Sequence, residues 1–140
     1  VLVGASLGGL LAAMVADAAA ARAVVPVNPL PPAPWNTALR ARAPWPARVP
    51  WRSTASVAGT ARAIPDAGAG TVEWAWRRWR DEAGAVLDDA YAGIAVDRPR
   101  CSLLVIASGA DADVPGAVSA SLAADWQADL VRVPGASHVG

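Results

Sequence analysis

VLVGASLGGLLAAMVA fills residues 1–16. A short apolar run (residues 1–3) enters a serine, Ser6, framed by Gly4, Gly8 and Gly9, and leaves through a stretch rich in Ala and Leu. That order reads as strand, tight turn and helix, the helix covering about residues 7–21. Two chemistries use such a turn. In one, the glycines let a nucleotide pyrophosphate approach a helix N-terminus. In the other, they clear space around a nucleophilic serine on a sharp bend.

Further strands are expected at 23–28 (AVVPVN, weakened or bent by Pro26), 102–107 (SLLVIA) and 130–133 (LVRV). The first three strands are nearly continuous apolar runs, as parallel strands covered on both faces are. A helix over 114–127, with Pro115 in its first turn, separates the last two. Strand–helix–strand repeated twice predicts an α/β fold, an open parallel sheet with helices on both faces. Residues 29–65 break the rhythm: NPLPPAPW and APWPARVPW show almost no periodicity and read as loop or irregular cover. After DAGAG (66–70), apolar positions at helical spacing predict one helix over about 71–92, stopped by Gly93. Gly84 inside it costs ~1 kcal/mol relative to Ala. Residues 30–95 therefore look like an insertion between two sheet strands, with the core at 1–29 and 96–140.

Composition narrows the chemistry. The chain has 140 residues, enough for one domain with a real core. Twelve arginines, no lysine and twelve acids leave a formal charge of zero, so no charge excess points to nucleic acid or an anionic membrane. Cys101 is the sole cysteine, which excludes an internal disulfide and a cysteine metal cluster. The longest uncharged apolar stretch, 1–16, falls short of the ~18 residues of a membrane span and lacks the charged leader of a signal peptide. A cytoplasmic protein is expected. The start in mid-strand and the end two residues after a histidine suggest a piece of a longer chain.

The nucleotide reading fails on particular residues. Leu10 stands where the Gly-x-x-x-Gly-x-Gly turn of short-chain dehydrogenases has its last glycine. No ribose-binding acid or arginine ends the next strand, which runs Val27-Asn28-Pro29. The nucleophile reading gains support instead. Gly4-Ala5-Ser6-Leu7-Gly8 fits Gly-x-Ser-x-Gly, in which positions two before and two after the serine must lack a clashing side chain. The helix start places the Leu7 N–H where it can face an oxyanion. A serine needs a base, and the base an orienting acid. His138, the only histidine, lies in VPGASHVG after the last strand, and Asp111 lies in IASGADADVP beyond strand 102–107. All three residues follow C-terminal strand ends, where an open parallel sheet forms its sites.

In GASLGG (4–9), SGADADVP (108–115) and PGASHVG (134–140), the chain resembles the second half of an α/β-hydrolase, and the likeness covers nearly its whole length. The resemblance implies Ser6 as nucleophile, Asp111 as triad acid, His138 as general base, and residues 30–95 as a cap. Asp113 competes for the acid role; proline four residues after the acid is common in the family, and Pro115 stands there relative to Asp111. A serine at the elbow sets the chain apart from the dehalogenase and epoxide-hydrolase branches, which place Asp there. The family's second oxyanion amide comes from a loop after an earlier strand; that loop and four strands are expected upstream of Val1. The implied activity is cleavage of an ester, or of an amide or thioester, through an acyl-enzyme. No metal or organic cofactor is implied, and the partner is a small acyl substrate with an apolar part.

A non-catalytic fragment or pseudoenzyme is the competing reading. WAWRRWR (74–80) could pass for a stacking strip for nucleic acid; the simpler expectation is Trp76 and Trp79 facing inward and the arginines facing solvent. Trp35, Trp45 and Trp51 are expected to cover the sheet, some of them lining an apolar pocket beside Ser6, with Trp35 the residue to test.

Overall fold

The computed structural model describes residues 1–138. Residues 139 and 140, the last two of PGASHVG, lie outside the described residues. The expected strands form one all-parallel sheet in the order β1 (Leu2–Ala5), β2 (Ala23–Val27), β5 (Ser102–Ser108), β6 (Asp129–Val133). Parallel register puts all four C-terminal ends at one edge. Pro26 does not displace β2 from the middle. It aligns with Gly4 of β1, and the β2–β5 partners fall on both sides of it, at Ala23, Val24 and Val27. The proline costs the ladder one donor without ending the strand.

Helix α1 (Leu7–Val15) and helix α6 (Gly116–Asp125) flank the sheet. Val24 and Leu103, neighbours in the β2–β5 register, pack with Ala12 and Ala13 of α1, with Ala16 just after it, and with Leu122 and Trp126 at the end of α6. Alanines along this face of α1 let the helix lie close to the strands. Side chains alternate along a strand, and on the opposite side Val3 is 69% exposed and Val131 45%. Among the described residues, α1 and α6 therefore cover the same side, and the expected cover of both sides is not met.

Both helices stop without glycine. After α1, the Ala21 N–H donates to Ala16 O and the Ala20 N–H to Asp17 O, with Ala20 at φ 47°. After α6, the Ala128 N–H donates to Ala123 O and the Gln127 N–H to Ala124 O, with Gln127 at φ 50°. This double bond around a left-handed residue satisfies the last carbonyls of a helix. It turns the chain back toward the next strand.

Residues 30–95 are more ordered than the sequence suggests. They hold a 3₁₀ turn (Trp35–Ala38), β3 (Arg48–Val49), α2 (Trp51–Thr54), α3 (Val57–Ala63), α4 (Ala69–Trp76), β4 (Glu82–Ala83) and α5 (Gly84–Ala92). Ser56 Oγ caps α3 by accepting from the Gly59 N–H, the usual bond of an N-cap serine. The single helix expected over 71–92 is two helices, α4 and α5. Between them, β4 pairs antiparallel with β3, and the Gly84 N–H donates to Ala47 O at 3.0 Å. Asp81 holds Arg48 and accepts from the Arg52 N–H, while Asp88 accepts from the Trp45 N–H. These cross-links compete with helix continuation and win over helical periodicity.

A β-carbon on Gly84 would lie 1.9 Å from Pro46 O, a backbone atom that cannot step aside cheaply. Gly84→Ala is therefore expected to lower stability by about 1–3 kcal/mol, the cost of overpacking. Gly70→Ala, in α4 with open space around it, should raise stability by up to ~1 kcal/mol. Urea midpoints of the two variants check both signs.

Candidate active site

Ser6 sits between β1 and α1 with φ 53° and ψ −123°. A non-glycine residue there is strained by roughly 1–3 kcal/mol and persists only when its surroundings over-determine it. They do: the Ser6 N–H donates to Val27 O at 3.0 Å, and Ser6 O accepts from the N–H groups of Gly9, Leu10 and Leu30. A β-carbon on Gly4 would meet Gly8 O at 2.1 Å, and one on Gly9 would meet Pro29 Cβ at 2.9 Å. Gly8, expected to be required, has nothing within 4 Å of that position. The close approach falls one residue later than the pentapeptide suggests. Leu7 opens α1, and the first amides of a helix lack an intrahelical partner.

Asp111 lies three residues beyond β5. Its Oδ1 accepts from the N–H groups of Asp113 and Val114, both at 2.8 Å, which fixes the carboxylate. Its Oδ2 lies 2.7 Å from His138 Nδ1. Because a carboxylate can only accept, the ring's Nδ1 carries the proton and Nε2 is left to accept. Asp113 does not take that position. Burial works against charge on the imidazole, but the hydrogen bond to Asp111 and the charges of Asp111 and Asp113 outweigh it and raise the His138 pKa above 6.5.

Ser6, Leu7, His138 and Asp113 line one cavity of about 550 Å³ at the C-terminal edge of the sheet. Among the described residues no hydrogen bond joins Ser6 Oγ to the imidazole. Trp45, Trp51, Trp79 and Tyr91 form much of the remaining wall. Trp45 meets Trp51 edge to face with centroids 5.8 Å apart, and Trp51 meets Trp79 at a 60° tilt with centroids 5.9 Å apart. Burial, followed by the charge of Asp113, pushes the Tyr91 pKa up, so its hydroxyl stays neutral. Trp35, singled out for this wall, instead packs against both apolar clusters. Trp79 faces the cavity while Trp76, expected to face inward, is 37% exposed. One helix does not carry both residues, which is why the shared periodicity misleads.

Three supporting residues escaped the sequence reading. Asn28, buried at φ 43°, accepts from the Ser108 N–H and donates to Ser108 Oγ and to His138 O. It ties the ends of β2 and β5 to the histidine loop. Its signal was the strand-end asparagine, a residue type tolerant of left-handed backbone. Asp66, 71 residues from Ser137, accepts from both the Ser137 hydroxyl and its N–H. These bonds, the hydroxyl's first, hold the Asp66 carboxyl below its usual range. The clasp is fully present above the ordinary carboxylate range and is lost as pH falls through the depressed value. Glu82 also lines the cavity; nothing in its sequence context marks it.

Ligand atoms of Asp111, Asp113 and His138 lie within 4.8 Å of one another, a spacing that suits a metal ion. Asp111 has both oxygens engaged, and one of them faces His138 itself. The set is built first as a hydrogen-bonded pair.

Since His138 is the only imidazole, its proton NMR titration gives one curve. The midpoint is expected above 6.5, and it should fall in Asp111→Asn, which removes the negative charge and leaves at most a neutral amide oxygen to accept from Nδ1. A midpoint unmoved by the substitution would show that the pair does not form.

The whole chain, residues 1–140, matches the model of the alpha/beta hydrolase family. No curated protein sequence matches it. Among solved structures, it is similar to E-2-(acetamidomethylene)succinate hydrolase at 22% identity and TM-score 0.62, with 98% of this chain and 59% of that one covered. It is also similar to the monoacylglycerol lipase of Paleococcus ferrophilus at 18% identity and TM-score 0.62, covering 97% and 58%. Est1E of Butyrivibrio proteoclasticus, with ferulic acid bound, matches at 20% identity and TM-score 0.56, covering 97% and 50%. The chain thus spans between half and three-fifths of these relatives' lengths. At such identities the likeness speaks for the fold, and the family match over every residue carries the assignment. The parallel sheet, the glycine-framed turn after β1 and the full-length match all agree: this chain belongs to the alpha/beta hydrolase family.

Proposed function

We propose that the whole protein is a serine hydrolase that cleaves a carboxylic ester, or a related acyl bond, through an acyl-enzyme. The observation that carries this reading is the Asp111–His138 hydrogen bond at the rim of the cavity that also holds the strained Ser6. Ser6 Oγ attacks the acyl carbonyl while His138 Nε2 takes its proton, and Asp111 stabilises the imidazolium that forms. The Leu7 N–H, at the start of α1, donates to the developing oxyanion. His138 then protonates the leaving group, and water repeats the cycle on the acyl-enzyme. The cycle calls for no cofactor. Residues 30–95 act as a cap that supplies the aromatic wall, so the substrate is a small molecule with an apolar part. Among the relatives, a monoacylglycerol lipase and an enzyme with bound ferulic acid are in keeping with acyl chemistry.

The absence of a Ser6 Oγ–His138 bond among the described residues favours a second reading, a non-catalytic hydrolase-fold chain. A fluorophosphonate probe separates the two. Labelling of the whole protein, abolished in Ser6→Ala, is expected; a folded protein that never labels favours the second reading. Ester turnover should fall on the order of 10⁴-fold in Asp111→Asn, the loss seen when a triad acid no longer orients its imidazole. Turnover should also fall as pH drops below the raised His138 pKa, because a protonated ring cannot accept the serine proton. Asp113→Asn removes one of the charges raising that pKa, so its acid limb should move to lower pH. Abolished turnover in Asp113→Asn with activity kept in Asp111→Asn would reverse the assignment of the acid.

A further inference from the structure

Five of the twelve arginines, Arg48, Arg52, Arg77, Arg78 and Arg80, line one cleft of about 460 Å³ on the outer side of residues 30–95. A single acid, Asp81, shares its lining. Arg48 is paired with Asp81, and Arg77 with Glu73 of its own helix. Among the described residues Arg52, Arg78 and Arg80 have no carboxylate partner. A chain of zero net charge has therefore gathered a strongly positive hollow in one place. Along the sequence Glu73, Asp81 and Glu82 nearly balance Arg77, Arg78 and Arg80; the fold brings Arg48 and Arg52 to the same spot and removes that balance.

Trp79 lines both the cleft and the Ser6 cavity, so the two hollows adjoin at this indole. Neighbouring residues divide between them: Trp51 lines the cavity and Arg52 the cleft, while Glu82 lines the cavity and Asp81 the cleft. The two hollows differ in charge, since the cavity wall carries Glu82 and Asp113 and no arginine. An anionic group is repelled from the cavity and attracted to the cleft. Arg78 donates to Trp74 O and lies over the Trp74 ring, which leaves its charge without a counter-ion. Guanidinium forks match the oxygens of a phosphate, and three with no carboxylate partner suit a ligand with more than one negative charge.

We propose that this cleft is an anion subsite that holds the phosphate or diphosphate group of an acyl substrate, across Trp79 from the cavity that takes the acyl part. The substrate class that follows is an ester or thioester whose leaving group or acyl part carries a phosphate some way from the carbonyl. This deepens the reading of the cavity as an acyl site and rests on it, but the cleft's ligand can be measured without turnover. Arg78 and Arg80 are exposed, so Arg78→Gln with Arg80→Gln removes charge without opening the core.

The whole protein is titrated with inorganic pyrophosphate by calorimetry, and sedimented with vesicles of phosphatidylglycerol or of phosphatidylcholine. Pyrophosphate binding that survives Ser6→Ala and weakens about tenfold or more in the double arginine variant is expected, as for the loss of charge-assisted hydrogen bonds. Arginine-dependent binding to phosphatidylglycerol vesicles alone assigns the phosphate to a lipid headgroup. The preference for S-acetyl-4′-phosphopantetheine over S-acetylpantetheine, read as the ratio of kcat/KM, should fall by a similar factor in the double variant. If the native protein hydrolyses neither thioester, these two are not its substrates; fluorophosphonate labelling still decides the serine-hydrolase reading and pyrophosphate binding still decides the subsite. Absence of binding to both phosphate probes, or binding unchanged by the two substitutions, overturns the inference.

Discussion

The carboxamide of Asn28 joins three pieces of chain that nothing in sequence proximity would bring together. It sits one residue past β2, takes the Ser108 N–H at the end of β5, and gives its own hydrogens to Ser108 Oγ and to the carbonyl of His138. Parallel pairing alone aligns strand ends to within a residue or two. A buried amide with its donors and its acceptor engaged fixes them, because leaving any one unsatisfied costs about 1–3 kcal/mol. The histidine loop is also held from the other side by the Asp66–Ser137 bonds. The imidazole therefore reaches Asp111 from a loop clamped at two neighbouring residues, one by the sheet and one by residues 30–95. The strained serine backbone is tied to the same edge through Val27 O.

This arrangement divides labour between the two parts of the chain. The sheet supplies polar precision: short hydrogen bonds, a left-handed asparagine and a carboxylate anchored by two amides. Residues 30–95 supply bulk, with three indoles and a phenol facing Ser6. That segment buries Val49, Ile64, Val72 and Leu87 and is further held by cross-links between short elements. The pairs Arg48–Asp81 and Trp45–Asp88 are two such cross-links. Exposed ion pairs are individually weak, so this part of the chain is expected to open before the sheet does. The exposed apolar side of the sheet, with Val3, Val131 and Val133 uncovered, lies on the face away from α1 and α6.

The sheet was legible because its signals are local and strong: three apolar runs, a fourth short β-rich run, and a glycine-framed turn before an alanine-rich helix. The position of the serine, histidine and acid followed from strand ends. Helix ends were less legible, since Ala20 and Gln127 take the left-handed position that glycine usually marks. The segment 30–95 was read poorly for a different reason. Its β3–β4 pairing joins residues more than thirty apart, and no window of periodicity sees such a contact. Trp76 and Trp79 shared a helical spacing on paper, yet α4 ends at Trp76. Asn28, Asp66 and Glu82 are single polar residues whose meaning lies wholly in what they touch.

The account stands on Ser6, His138 and Asp111 acting as one unit at the sheet edge. A crystal structure of the whole protein after reaction with a phosphonate tests this most directly. The account predicts a covalent bond from Ser6 Oγ to phosphorus, a phosphoryl oxygen within hydrogen-bond distance of the Leu7 N–H, and His138 Nε2 beside Ser6 Oγ with Nδ1 still on Asp111. A phosphonate bonded to another residue, or an imidazole turned away from both serine and Asp111, would contradict it.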